Sequence, residues 1–254
     1  MAATRNICLI IAYDGSDYQG WQRQAAAPTI QGEIEERLSI ITTKSVTLHG
    51  AGRTDAGVHA AGMTANFHTN SALSCLQLQK SLNSMLPPAI RIIGAKEMTV
   101  GFHARFSCRG KRYCYYLDTA PVQPPFLRRY ALHVPAALDD QRMQDCLNTL
   151  LGTHDFSSFE NSGSRDKENG QGRGAVRTLF AVTFGRPTQN IFTIELTADG
   201  FLRNMVRNIV GTLLLAGEKK ISVADFAAIL AAQNRTLAGA TVPPHGLFLK
   251  NVLY

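Results

Sequence analysis

No apolar run in this 254-residue chain approaches a membrane span. The longest covers residues 7–13, far short of the roughly 20 residues that cross a bilayer. The opening stretch MAATRNICLIIAYDG lacks a long apolar core and a small-residue cleavage site, so no signal peptide is expected and a cytoplasmic protein is. Cysteine is scarce and odd in number: Cys8, Cys75, Cys108, Cys114 and Cys146, with no C-x-x-C. That argues against a disulfide framework and a thiolate zinc site, and for buried free thiols in a reducing compartment. The seven histidines show no H-x-x-x-H or H-E-x-x-H spacing. A P-loop and a G-x-G-x-x-G are also missing, so neither a metal nor a cofactor is expected. Acid is thin as well: none occurs between Glu97 and Asp118, or between Asp199 and Glu218. The formal net charge is +7, and arginine supplies 18 of the 26 cations. An arginine-rich balance suits a polyanionic partner, because the guanidinium fork matches phosphate geometry.

What is present is ample core material. Hydrophobic residues make up 45% of the chain and charged residues 18%, a globular composition long enough for one large or two small domains. Strand-like and helix-like segments alternate. Residues 6–13, 46–49, 63–68, 89–96, 111–117, 176–184, 191–197 and 248–253 read as strands. Pro28-Thr29 opens a helix carrying Ile30, Ile34, Leu38 and Ile41 at helical spacing, with Glu33, Glu35 and Glu36 near its positive end. Residues 72–86 form a second helix, stopped by Pro87-Pro88. A third covers residues 139–151, with Met143, Leu147, Leu150 and Leu151 inward and Gly152 as its stop. A long apolar helix spans 200–216 and closes at Gly217. Ser222 and Asp225 cap one more. The expected class is α/β (α+β type): two similar halves, 1–104 and 105–254, each a mixed or antiparallel sheet with helices on one face and an active-site cleft between them.

Four segments carry candidate chemistry. Residues 50–60 read GAGRTDAGVHA; small residues let the backbone turn tightly around Arg53, Thr54 and Asp55. This is either a plain glycine-rich turn capped by Asp55 or a loop presenting one carboxylate and one guanidinium. His59 reads as a structural histidine. Arg203 and Arg207 lie four apart on the predicted apolar helix, hence on one face, where charge is costly without partners. Residues 111–116, KRYCYY, interleave cations with aromatics, a pattern suited to stacked bases and phosphates. Lys111, Tyr113 and Tyr115 share one strand face, and Tyr115 and Tyr116 read as core. With Arg105, Arg109, Arg128 and Arg129, Lys111 and Arg112 make a candidate phosphate track. Residues 160–174 hold no large apolar side chain and read as a surface loop, basic at Arg165, Lys167 and Arg173.

GRTDAGVHA resembles the signature of the tRNA pseudouridine synthase A family. YDGSDYQGWQRQ with TIQGEIEERL, then FHARFSCRGKRYCYYL, HDFSSF, Arg177-Thr178, FLRNMVRNIVG and HGLFL follow in the family's order, so the resemblance spans essentially the whole chain. It implies isomerisation of uridine to pseudouridine in the tRNA anticodon stem–loop, at positions 38, 39 and 40, by a cofactor-free homodimer. Asp55 matches the catalytic aspartate, which either attacks the anomeric carbon or removes a ribose proton. Arg203 matches its partner and Tyr113 the ring stacked on the target uracil. Arg53 matches the residue filling the space of the flipped base, and Leu247 an apolar residue at the uracil pocket. Arg105, Arg109, Lys111, Arg112 and Arg207 are the expected RNA contacts. Met63 departs from the family pattern, which often has glutamine there. Rival readings are a catalytically silent RNA-binding protein and a glycoside hydrolase, although the hydrolase lacks a clear second carboxylate near Asp55.

Overall fold

A computed structural model describes residues 4–161 and 174–254. Most of the 160–174 stretch, with Arg165, Lys167 and Arg173, lies outside the described residues. Along the chain run β1 (Arg5–Tyr13), α1 (Ile30–Thr42), β2 (His49–Gly50), β3 (His59–Thr69), α2 (Cys75–Met85), β4 (Ile90–Met98), β5 (Gly110–Asp118), β6 (Leu132–His133), α3 (Asp140–Asn148), β7 (Gly152–Asp155), β8 (Val176–Thr188), β9 (Ile191–Ala198), α4 (Met205–Gly217), α5 (Val223–Ala231) and β10 (Leu247–Leu253). They pack as two units, Met1–Arg109 with Phe248–Tyr254, and Gly110–Leu247. Both combine sheet and helix, which is the expected α/β class.

In the first unit the strand order is β4-β1-β3-β10, with β2 against β3. β1 is antiparallel to β3 and β4, whereas β10 joins β3 in parallel, Phe248 opposite His59. Ile7, Leu9, Ile11 and Tyr13 alternate along β1 and are all buried; full burial of such a side chain stabilises by roughly 1.5–3 kcal/mol. Met63 is fully buried opposite Ile11, a core position. Thr29 caps α1 and Ser74–Gln77 form a capping box on α2, satisfying amides that a helix start leaves unpaired. α2 packs on β4 and α1 on α2.

The second unit orders β5-β9-β8-β7, antiparallel throughout, with β6 parallel beside β5. α4 lies against β5, α3 against β8, and α3, α4 and α5 pack on one another. Three helices are shorter than the sequence pattern predicts, α2 because Ser74 caps it so that it begins at Cys75. α3 ends at Asn148 because residues 149–151 tighten into 3-10 geometry: Thr149, Leu150 and Leu151 each donate a backbone bond three residues back. Leu150 stays buried and Leu151 is exposed. Gly152, at φ +97, then turns the chain into β7. α4 starts at Met205, not at 200, because Asn204 adopts φ 60, which no right-handed helix accommodates. Gly217 is the last helical residue and no stop. A Cβ there would lie 2.8 Å from the Met143 sulfur, so its value is close packing on α3. The predicted strand 46–49 is reduced to His49–Gly50.

Candidate active site

Asp55 lies on the loop between β2 and β3, and that loop is fixed from both sides. Ala51 donates to the Thr64 carbonyl at 2.8 Å, and Val58 closes a turn onto the Asp55 carbonyl at 3.2 Å. Thr54 is buried with its hydroxyl 2.7 Å from that of Tyr13. Residues 14–21 form the cradle. The Trp21 amide donates to Thr54 O at 3.1 Å, and the Gly57 amide to Tyr18 O at 3.3 Å. The approach is close enough to require glycine at two positions. A Cβ on Gly15 would collide with Val58 O, and one on Gly20, at φ +91, would sit 2.6 Å from Thr54 O. Asp55 itself is half-buried and Arg53 is exposed.

His59, fully buried, closes the far end of the loop. Its Nδ1 accepts from the Gly15 amide at 3.1 Å and lies equally close to Asp14 Oδ1. One ring nitrogen therefore faces both a donor amide and a carboxylate oxygen. Asp14 takes its own donor from the Ser16 amide at 2.9 Å. The imidazole stacks on Phe248 at 4.5 Å between centroids. This is a structural histidine, as the sequence reading has it.

Tyr113, Arg203 and Arg207 belong to the second unit. Tyr113 is buried on β5, its ring edge-on to Phe201 at 5.0 Å and 81°. Phe201 opens the turn that carries Arg203, so the stacking candidate and the arginine candidate are tied to one short segment. Arg203 is exposed and precedes α4; it does not share a helix face with Arg207, which corrects the sequence expectation. Arg207 donates Nε to Val242 O at 2.7 Å and Nη1 to Asn204 Oδ1 at 2.8 Å. One of its donors therefore holds the left-handed Asn204, and the other ties the side chain to residue 242.

Behind Arg203 lies a polar network that the motif reading does not find. The Asn161 amide donates to Arg203 O at 3.1 Å. Asn161 Oδ1 accepts from Asn208 Nδ2 at 3.0 Å and from Arg235 Nε at 3.2 Å. Arg235 also reaches Asn208 Oδ1, Thr241 Oγ1 and the carbonyls of Ala238 and Gly239. Asn208 and Thr212 are fully buried polar residues on a helix that is apolar apart from them and Arg207, and that mismatch is the sequence signal that could have exposed the network.

Leu247 is buried. The neighbouring Gly246 packs on β5, where a Cβ would lie 2.7 Å from the Tyr115 ring. Tyr115 is fully buried and donates to Pro243 O at 2.7 Å, while Tyr116 is half-buried. Burial raises the Tyr115 phenol above its usual range. Arg105, Arg109, Arg112, Arg128 and Arg129 are exposed and Lys111 is half-buried. Among the described residues no cluster of His, Cys, Asp and Glu could hold a metal, and no helix is long and apolar enough to cross a membrane.

The family described as tRNA pseudouridine synthase matches residues 9–107 and 147–254. The chain is 54% identical over 250 residues to tRNA pseudouridine synthase A 1 of Desulfotalea psychrophila, covering 98% of this chain and 100% of that protein. It is 43% identical over 250 residues to tRNA pseudouridine synthase A of Acetivibrio thermocellus, with the same coverage. It is 41% identical over 251 residues to tRNA pseudouridine synthase A 2 of Protochlamydia amoebophila, covering 98% and 94%. The stretch 108–146, which carries Tyr113, falls outside the family match but inside these three alignments.

Proposed function

Because the chain belongs to the tRNA pseudouridine synthase family and isomerises uridine in tRNA to pseudouridine, we propose that Asp55 is its catalytic carboxylate. The reaction breaks the C1′–N1 bond, turns the uracil, and joins C5 to C1′; the C5 proton is lost and N1 gains one. Nothing is hydrolysed, so a single carboxylate suffices, either as nucleophile at C1′ or as base toward the ribose. Atoms and electrons balance without an outside donor, so the proposal includes no cofactor. The observation that carries the reading is the doubly anchored loop, which holds Asp55 in one geometry at no cost during reaction.

Arg203 is proposed as the cationic partner of the carboxylate and Tyr113 as the ring for the target uracil. Arg53 takes the space of the extruded base, whose unstacking costs a few kcal/mol, and Leu247 adds an apolar contact. Arg105, Arg109, Lys111 and Arg112 contact RNA phosphates. Arg207 is proposed to contact RNA as well and to support Arg203 through Asn204, to which its Nη1 donates. The substrate region is the anticodon stem–loop at positions 38, 39 and 40, the active form is a homodimer, and a tRNA substrate puts the enzyme in the cytoplasm. The test uses unmodified tRNA tritiated at uracil C5. Isomerisation releases tritium to water without free uracil; hydrolysis gives free uracil; a silent binding protein gives neither.

A further inference from the structure

One surface of the first unit carries aromatic rings that neither the core nor the carboxylate loop uses. His49 on β2, His103 and Phe106 line up in series, with ring centroids 5.0 Å apart for the first pair and 4.4 Å for the second. Both histidines are half-buried, whereas the Phe106 ring is 78% exposed. The Arg105 guanidinium lies 5.9 Å from the Phe106 centroid, within cation–π range. A single exposed phenylalanine needs no explanation. A held row of rings with a cation at its exposed end does.

The row is held by local chemistry. His103 Nδ1 accepts from the amides of Arg105 at 3.1 Å and Phe106 at 3.4 Å. The His103 amide in turn donates to Ser107 Oγ at 3.1 Å, and Ser107 N donates to His103 O at 2.9 Å. This closed turn fixes the direction of Phe106 before any ligand arrives. Burial and the neighbouring His49, Arg105 and His68 hold the His103 imidazole below its usual pKa, so near neutral pH it presents an uncharged π face.

We infer that the His49–His103–Phe106 row, with Arg105 at its edge, is a stacking platform for unpaired nucleobases of the RNA substrate. Flat π faces suit any base, and a guanidinium beside them suits the attached phosphate. No acid occurs between Glu97 and Asp118 to repel that phosphate. His49 sits on the strand that runs directly into the Asp55 loop, so RNA held on the platform is tethered to the carboxylate-bearing segment. The inference rests on the tRNA substrate proposed above.

Filter binding of the full-length protein to unmodified tRNA, and to a blunt RNA duplex of similar length, tests it. Phe106→Leu keeps an apolar side chain but removes the π face. The expected result is a loss of tRNA affinity of about fivefold or more, largely restored in Phe106→Trp and absent on the blunt duplex. Arg105→Gln, which leaves the ring in place, should lower the salt slope of tRNA binding by about 0.7. Unchanged tRNA affinity in a folded Phe106→Leu protein would overturn the inference. So would equal losses on tRNA and duplex, or loss of self-association with RNA binding intact, which would mark a protein interface. Tritium release by the wild-type protein separates the two readings: without it the substrate reading fails, and with it an unaffected Phe106→Leu removes the platform alone.

Discussion

Gly20 shows how much of the chemistry depends on a residue with no side chain. It lies far from Asp55 in sequence, yet its Cα faces the carbonyl that precedes the carboxylate residue, at a left-handed φ. Gly20→Ala adds about 1–2 kcal/mol of backbone strain and a clash that must push residues 54–55 away. Lower Tm and a lower kcat are expected together, measured by calorimetry and label release. Gly101→Ala, where a new Cβ meets nothing within 4 Å, should change neither. An unaltered kcat in Gly20→Ala would mean that the cradle does not set the carboxylate. The motif around Asp55 is legible because several small residues around one acid need little context. The Tyr13, Tyr18 and Trp21 cradle is not, since those contacts join segments some thirty to forty residues apart that no local pattern couples. Arg203 calls for a comparison of its own. Replacing it by alanine should cost kcat/KM about a hundredfold, with lysine recovering part, as expected for a cation serving the reacting charge; equal losses would assign the guanidinium fork a different task.

Among the elements, α4 and the segment after α5 form the least obvious device. Arg235 collects Asn161, Asn208, Thr241 and two carbonyls, and Asn161 holds the Arg203 backbone. Removing the fork should cost about 2 kcal/mol of stability, a sum of several modest net hydrogen bonds. Because Arg203 loses its anchor, kcat should fall with KM nearly unchanged. Urea unfolding and steady-state kinetics of Arg235→Ala check both, and Arg235→Lys should not restore them, since one ammonium cannot span those acceptors. A variant that loses stability but keeps full kcat would confine Arg235 to packing. Sequence pattern finds α4 by its apolar run but misplaces its start. The left-handed Asn204 that delays it is stabilised by Arg207, a side-chain contact with no signature in hydrophobic periodicity.

At the scale of the whole molecule, each unit is a twisted sheet with helices packed on it, and the alternation of strand-like and helix-like segments shows that class in the sequence. Partner choice is what the pattern withholds. β10 pairs in parallel with β3, Phe248 opposite His59, a pairing across most of the chain. Apolar alternation marks a strand without saying which neighbour it joins. Charge is spread over both units, with Arg105 and Arg109 in the first and Lys111 and Arg112 in the second. Affinity for tRNA should therefore fall steeply with salt, and Arg109→Glu with Arg112→Glu should flatten the log–log slope by about 0.7 for each phosphate that is no longer neutralised. Titrations at several salt concentrations read this directly, and an unchanged slope would route the RNA over another surface.

The claim on which the rest depends is that the Asp55 carboxylate carries the isomerisation, and tritium release from C5-labelled tRNA by the wild-type and Asp55→Asn proteins tests it most directly. The amide keeps size and shape but supplies neither an anionic nucleophile nor a base. The expected result is tritium release by the wild type and none above background by the variant, with Tm and tRNA affinity nearly unchanged. Release by Asp55→Asn at a rate near that of the wild type, in a preparation free of contaminating enzyme, would contradict the account.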